Sequence, residues 1–107
     1  MRIEPHDAVL AVDLPGIYGF IARENPNAAE RVLDAIEVTF RQLANQPECG
    51  VIYPTRNPRL RGVRMLPVHD YPTYLIFYRL EPESVRVLYV VHGARHLPRL
   101  FRREPRE

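Results

Sequence analysis

The chain has 107 residues, of which 46% are hydrophobic and 26% are charged, the composition of an ordinary globular protein with one core. We therefore expect a single domain over residues 1–107. The one cysteine, Cys49, excludes an internal disulfide and a cysteine-rich zinc site. No segment reaches the roughly 18 apolar residues that cross a bilayer, and the N-terminus lacks the apolar run of a secretion signal. These features favour a cytoplasmic location without membrane contact.

The positive charge is concentrated in the second half of the chain. Residues 1–55 hold 4 arginines and 8 acids, whereas residues 56–107 hold 11 arginines and 5 acids, a net charge of +6 (11 − 5). The residues that we expect to bind a target or partner are Arg56, Arg59, Arg61, Arg64, Arg95, Arg99 and Arg102. Such a surface suits phosphates or an acidic protein segment, although a solvated basic face without a partner is the alternative.

A first helix is predicted over residues 7–23, with Asp7 as its N-cap. Its apolar residues recur at spacings of four, three and four and should form a buried stripe: Leu10, Leu14, Ile17 and Ile21. Pro15 lacks a backbone donor and crowds the carbonyl of Ala11, so we expect a kink or a break near this position.

The clearest predicted element is a second helix. Asn25 is a favourable N-cap, Pro26 suits the first helical position, and Pro47 marks the end. Its apolar residues at helical spacing are Ala29, Val32, Leu33, Ile36, Phe40 and Leu43. Because the link between the two helices is short, they should form an antiparallel hairpin.

Beyond Gly50 the apolar pattern changes from helical to β-type. A surface loop is predicted over residues 51–60, followed by strands over 62–68, 74–80 and 85–91, an amphipathic helical turn after Gly93, and a flexible tail over 102–107. Residues 2–5 add a short first strand. The predicted fold class is α+β: a two-layer sandwich with a helical hairpin packed on a small antiparallel sheet, in the order β-α-α-β-β-β.

Several strings in this order are similar to those of a known family. They are Asp13-Leu14-x-x-Ile17-Tyr18-x-Phe20-Ile21-Ala22, Asn25-Pro26-x-Ala28-Ala29, Leu43-Ala44-x-x-Pro47-x-x-Gly50, Leu60-Arg61-Gly62-Val63-Arg64, and Val90-Val91-His92-Gly93-Ala94-Arg95-His96. Each string is weak alone, but they occur in this order in a match that runs from about Asp7 to Phe101. On this basis the chain resembles the RelE/ParE superfamily, the toxins of type II toxin-antitoxin systems, and the ParE branch more closely than RelE.

The resemblance implies a partner and two alternative targets. The expected partner is a cognate antitoxin, typically a ribbon-helix-helix DNA-binding dimer, whose C-terminal segment folds on the toxin in a hetero-oligomer. We expect this segment to dock on the sheet face that the helices leave open, formed by apolar residues of the strands over 63–67 and 74–80. ParE-like members are known as inhibitors of DNA gyrase, whereas RelE-like members cut messenger RNA on the ribosome.

Metal-independent RNA cleavage needs a proton acceptor, cations that stabilise the phosphorane, and an acid or stacking group. Where RelE-like nucleases often carry Tyr-Arg-x-x-Tyr, this chain reads Tyr74-Leu75-Ile76-Phe77-Tyr78, with leucine at the arginine position. Arg95 matches the family's last arginine, but Phe101 stands where a tyrosine is often found. The resemblance therefore favours a toxin that acts by binding gyrase, without catalytic residues.

The alternative is a ribosome-dependent endoribonuclease that uses Arg95, Arg64 and Tyr78. An inactivated family member that only binds antitoxin is a third reading. His92 and His96 have the spacing of two metal ligands on a helix, but Gly93 lies between them and no acidic third ligand is near. No metal and no cofactor are predicted.

Overall fold

The structure is a computed structural model that describes residues 1–94, 97, 101 and 105–107. The helices are α1 (Leu14–Ala22), preceded by a π-helical turn (Val9–Asp13), and α2 (Pro26–Asn45). The strands are β1 (Arg2–Pro5), β2 (Val51–Ile52), β3 (Arg64–Val68), β4 (Tyr71–Leu80) and β5 (Ser84–His92), with a short 3₁₀ turn at Pro58–Leu60. Among the described residues, no helix is long and apolar enough to cross a membrane.

The five strands form one sheet in the order β1-β5-β4-β3-β2. Strands β2 to β5 pair antiparallel, which confirms the predicted meander, whereas β1 runs parallel to β5. The sheet is therefore mixed rather than wholly antiparallel. Strand β2 was missed because its two residues lie in a segment rich in turn residues, where so short a strand leaves no periodic pattern.

The first helix differs from its prediction near Pro15. The π-helical turn lies directly before this proline, where its wider spacing relieves the crowding of the preceding carbonyls. The wide turn also shifts the buried stripe: Val9 is buried and is followed by Leu14 five positions on, whereas the predicted core residue Leu10 is 55% exposed. The helix start is capped by His6, whose Nδ1 accepts the Ala8 N–H at 3.0 Å, and not by Asp7.

The second helix begins as predicted. The Asn25 side chain accepts the Ala28 N–H at 3.0 Å, and Pro26 occupies the first turn. The inner face of α2 packs with α1 on one face of the sheet, around Ile36, Ile76 and Tyr78. This confirms the two-layer α+β arrangement.

The opposite sheet face is not open, which corrects the expected docking site. A second apolar cluster covers it, built from Leu60, Val63, Phe77, Leu88, Tyr89, Val91 and Phe101 with Tyr53, Met65, Leu75 and Leu97 packed against it. The 53–63 segment and Phe101 supply the cover. The sequence did not predict it, because the apolar side chains of these segments are scattered among prolines and arginines and show no period.

The C-terminal segment is only partly described. The Phe101 N–H donates to the Leu97 carbonyl, a bond of helical spacing. The tail expected to be flexible lies against the sheet over residues 105–107, where Arg86 donates to the Glu107 carbonyl at 3.2 Å. Residues 102–104 of that tail lie outside the described part of the chain.

Candidate interaction site

A groove runs between the first helix and the ends of β4 and β5, and we call it the helix groove. It encloses about 480 Å³ and is lined by Val12, Asp13, Gly16, Ile17, Phe20, Tyr74, Val90, Val91, His92 and Ala94. Most of these side chains are apolar. A concave apolar surface with a few polar groups is the usual form of a binding site.

The helical wall of the groove carries large apolar side chains that are exposed to solvent. Phe20 is 70% and Val12 is 60% exposed, and Gly16 lies between them on the same helix face. An added Cβ at Gly16 would meet no heavy atom within 4 Å, so the surface is open above it. Contiguous exposed apolar residues of this kind mark protein interaction sites.

The sheet wall of the groove is held in shape by polar contacts at its base. The Tyr74 and His92 rings meet edge to face with centroids 5.2 Å apart, and His92 Nδ1 accepts the Ala94 N–H at 3.0 Å. Burial raises the pKa of the Tyr74 hydroxyl above its usual value. The wall therefore presents a fixed aromatic surface, in which the Tyr74 hydroxyl keeps its proton at neutral pH.

A buried ion pair closes one end of the groove. Asp13 Oδ2 accepts the Val90 N–H at 3.0 Å and lies 2.6 Å from Arg106 Nη1. The Arg106 guanidinium also stands 4.5 Å above the Tyr89 ring. Sequence reasoning gave no role to Asp13 or Arg106, because the two residues are 93 positions apart and only the folded chain brings them together.

Two of the three residues named for a nuclease are engaged elsewhere. Tyr78 is fully buried beneath α2, donates to the Pro47 carbonyl at 2.8 Å and accepts the Gly50 N–H at 2.9 Å. Arg64 donates to the Gly50 carbonyl at 2.8 Å and to the Glu48 carbonyl at 3.2 Å. Both side chains therefore hold the 47–50 turn, and neither lines the helix groove.

The predicted basic residues divide into three groups. Arg56, Arg59 and Arg61 are exposed together between β2 and β3. Arg64 is half-buried and donates to the 47–50 turn described above, and its role in binding stays a prediction. Arg95, Arg99 and Arg102 lie outside the described residues, as does His96. Within the described part of the chain, no three His, Cys, Asp or Glu residues cluster as metal ligands would.

The residues that sequence reasoning missed as surface features are Val12 and Phe20. Both are apolar, but neither belongs to the predicted buried stripe of the first helix. The helix therefore carries apolar residues on two sides. A helix with two apolar sides needs a second packing partner. That signal was present in the sequence, but without the fold it could not be told from core.

The fold is that of a small α+β protein with an exposed apolar groove beside its first helix. Comparison with known proteins gives the family. Residues 10–97 match the sequence model described as "ParE toxin of type II toxin-antitoxin system, parDE", so the chain belongs to the ParE toxin family.

Two similar proteins agree with this assignment. "Putative toxin Y4kP" of Sinorhizobium fredii is 32% identical over 88 residues, which cover 82% of this chain and 84% of that protein. A solved structure described as the chromosomal ParDE TA system from P. aeruginosa superposes with a TM-score of 0.67, covering 86% of this chain and 95% of that one. At 20% identity, this second likeness shows the shared fold.

Proposed function

We propose that this chain is a gyrase-directed toxin that a cognate antitoxin neutralises by folding a segment into the helix groove. The observation that carries the proposal is the exposed apolar face of the first helix, centred on Phe20, in a chain of the ParE toxin family. A lone toxin would leave this face in water at a cost in stability, and an antitoxin would cover it.

The groove fits an amphipathic helical segment. Val12, Gly16 and Phe20 are spaced four residues apart, so a partner helix can seat apolar side chains over Gly16 and against the two larger neighbours. The resemblance to the RelE/ParE superfamily implies an antitoxin, typically a ribbon-helix-helix dimer, whose C-terminal segment folds on the toxin. A segment that folds only on binding loses its conformational entropy when the complex forms, so it is disordered when free.

The proposed action is binding and not RNA cleavage. Tyr78 and Arg64 are tied to the 47–50 turn, and Phe101, which has no hydroxyl, is buried in the second apolar cluster. The contacts of Tyr78 and Arg64 count against the nuclease alternative, because it was expected to use both side chains in catalysis. Gyrase is proposed as the target because the resemblance is to the ParE branch.

Expression in bacteria tests the proposal at the level of the cell. Induced toxin should arrest growth, and co-expressed antitoxin should restore it. Phe20→Glu places a charge in the groove and should abolish rescue while toxicity remains. The matched control is Val38→Glu, because Val38 is 40% exposed on α2 and does not line the groove.

Two assays with purified protein separate the targets. We expect the toxin to block supercoiling by gyrase and to leave ribosome-bound messenger RNA intact. Cleavage of the messenger with unchanged supercoiling would reverse the assignment in favour of the endoribonuclease. Full rescue of the Phe20→Glu toxin by antitoxin would remove the helix groove as the docking site.

A further inference from the structure

The outer edge of the sheet at β2 is a second unusual surface. Val51 and Ile52 are 60% and 55% exposed, although both are large and apolar. The Tyr53 N–H donates to the Val63 carbonyl, toward β3. Backbone groups alternate along a strand, so the N–H and C=O of Ile52 point away from the sheet. Within the described part of the chain, β2 is the last strand on this side of the sheet, and such an edge can accept another strand.

A basic loop, which we define as residues 53–63, adjoins this edge. A hollow of about 220 Å³ lies between β2 and the loop and is lined by Ile52, Tyr53, Arg56 and Arg61, among others, and no acidic residue stands in its wall among those that the structure describes. Arg56, Arg59 and Arg61 are exposed. None of the three forms an ion pair with another residue of the described part of the chain.

The basic loop is fixed in place by its own contacts. Leu60 is buried, and the Tyr53 ring packs edge to face on Phe77 at 5.3 Å. The Asn57 side chain accepts the Arg59 N–H at 3.0 Å, and Arg79 donates to the Arg59 carbonyl at 2.7 Å. Because the backbone of the basic loop is fixed before a partner binds, less conformational entropy is lost on binding.

We propose that β2 and the basic loop form a docking surface for an extended acidic segment of another protein, which adds to the sheet as a strand beside β2. Main-chain bonds to Ile52 would supply affinity, and apolar side chains of the segment would cover Val51 and Ile52. Its carboxylates would meet Arg56 and Arg61. The surface is separate from the helix groove, and the proposal does not depend on what occupies that groove.

Two other occupants fit the surface less well. A second copy of this chain would bring one set of loop arginines against another, and like charges in an interface oppose association. A nucleic acid would satisfy the arginines, but it offers no β-strand for the Ile52 backbone and little apolar surface for Val51. An acidic extended polypeptide uses all three features at once.

Binding of a short labelled peptide that alternates glutamate with valine tests the proposal on the full chain. We expect saturable binding that weakens at high salt, as screening of surface charges requires. The double variant Arg56→Glu with Arg61→Glu should weaken binding by about tenfold or more. The charge-matched control, Arg31→Glu with Arg41→Glu on the exposed side of α2, should bind like the wild type.

Ile52→Pro tests the main-chain part separately, because proline removes an N–H that does not pair with β3. We expect this substitution to weaken binding of the peptide by at least about tenfold, while the circular dichroism spectrum of the protein stays unchanged. No saturable binding, or binding that both loop and edge variants leave intact, would overturn the proposal. Tighter binding of a labelled single-stranded oligonucleotide, insensitive to Ile52→Pro, or dimerisation of the free protein that Ile52→Pro abolishes, would overturn it in favour of the other occupants.

Discussion

Arg106 Nη1 lies 2.6 Å from Asp13 Oδ2, so the penultimate residue of the chain is joined to the π-helical turn of the first helix. The two side chains are largely buried, at 20% and 8% exposure. Asp13 also accepts the N–H of Val90 in β5. Val90 lies close to the place where the pairing of β4 with β5 shifts register, between Phe77 and Tyr78. One carboxylate therefore links the helical layer, the sheet and the C-terminus.

Asp13→Ala should destabilise the fold by about 3 kcal/mol, because it leaves the Val90 N–H and the Arg106 guanidinium without their acceptor. Arg106→Ala should cost less, about 2 kcal/mol, since Asp13 keeps its bond to Val90. Urea unfolding followed by circular dichroism measures both. The double variant should be more stable than the sum of the single losses predicts, by more than about 0.5 kcal/mol. Strict additivity would show that the two residues act independently.

Phe101 tests whether the outer sheet face is a core in solution. Its ring meets those of Tyr53, Phe77 and Tyr89 with centroid distances of 5.0 to 5.5 Å, and it is 3% exposed. Phe101→Ala should lower the free energy of unfolding by about 3 kcal/mol, through lost burial and the cavity left behind. A loss below about 0.5 kcal/mol would mean that this face is bare in the free toxin.

Most of the fold could be predicted from local patterns. The second helix and the three long strands have strong periodicity and clear boundary residues, and these elements are where the sequence placed them to within a few residues. Features that depend on contacts between distant segments were missed. The parallel pairing of β1 with β5, the cover over the outer sheet face and the Asp13 to Arg106 contact leave no local pattern.

The candidate site could be predicted only in part. Arg56, Arg59 and Arg61 are exposed, because charged residues in a turn-rich segment seldom become buried, and their binding of a partner stays a prediction. The function of Arg64 depends on its position opposite Tyr78 in the sheet, which brings its guanidinium to the 47–50 turn. Sequence spacing alone does not distinguish such a bracing arginine from one that binds a partner.

Tyr78 makes stability depend on pH in the alkaline range. Burial raises the pKa of its hydroxyl above the usual 10.0, although the Gly50 N–H partly opposes this by favouring the phenolate. Above that pH the unfolded chain releases a proton that the folded chain retains. The free energy of unfolding should therefore be constant below about pH 10 as far as this group is concerned, and should fall as pH rises further.

The variant Tyr78→Phe isolates this effect. Near neutral pH it should be less stable than the wild type by about 1 to 3 kcal/mol, because the Gly50 N–H and the Pro47 carbonyl lose their partner. The difference should narrow as pH rises above about 10, since the variant has no hydroxyl to ionise there. Urea unfolding across this range measures the gap. A gap that widens in alkali would contradict the burial of this hydroxyl.

The two glycines of the first helix separate stability from binding. Gly16 lines the helix groove and Gly19 does not, and an added Cβ at either would meet no heavy atom within 4 Å. Each alanine should therefore stabilise the free toxin by about 0.5 to 1 kcal/mol, by restricting the unfolded chain and favouring the helix. Thermal unfolding of the toxin alone measures this gain.

Antitoxin binding should respond to only one of the two substitutions. If a partner helix approaches the backbone at Gly16, the methyl group of Gly16→Ala forces it outward and should weaken the complex by about tenfold, a cost of about 1.4 kcal/mol. Gly19→Ala carries the same change in helix propensity outside the groove and should bind as the wild type does. Titration calorimetry with purified antitoxin measures both. Equal affinities for the two variants would place the partner away from Gly16, because a general effect on the helix would then account for the whole result.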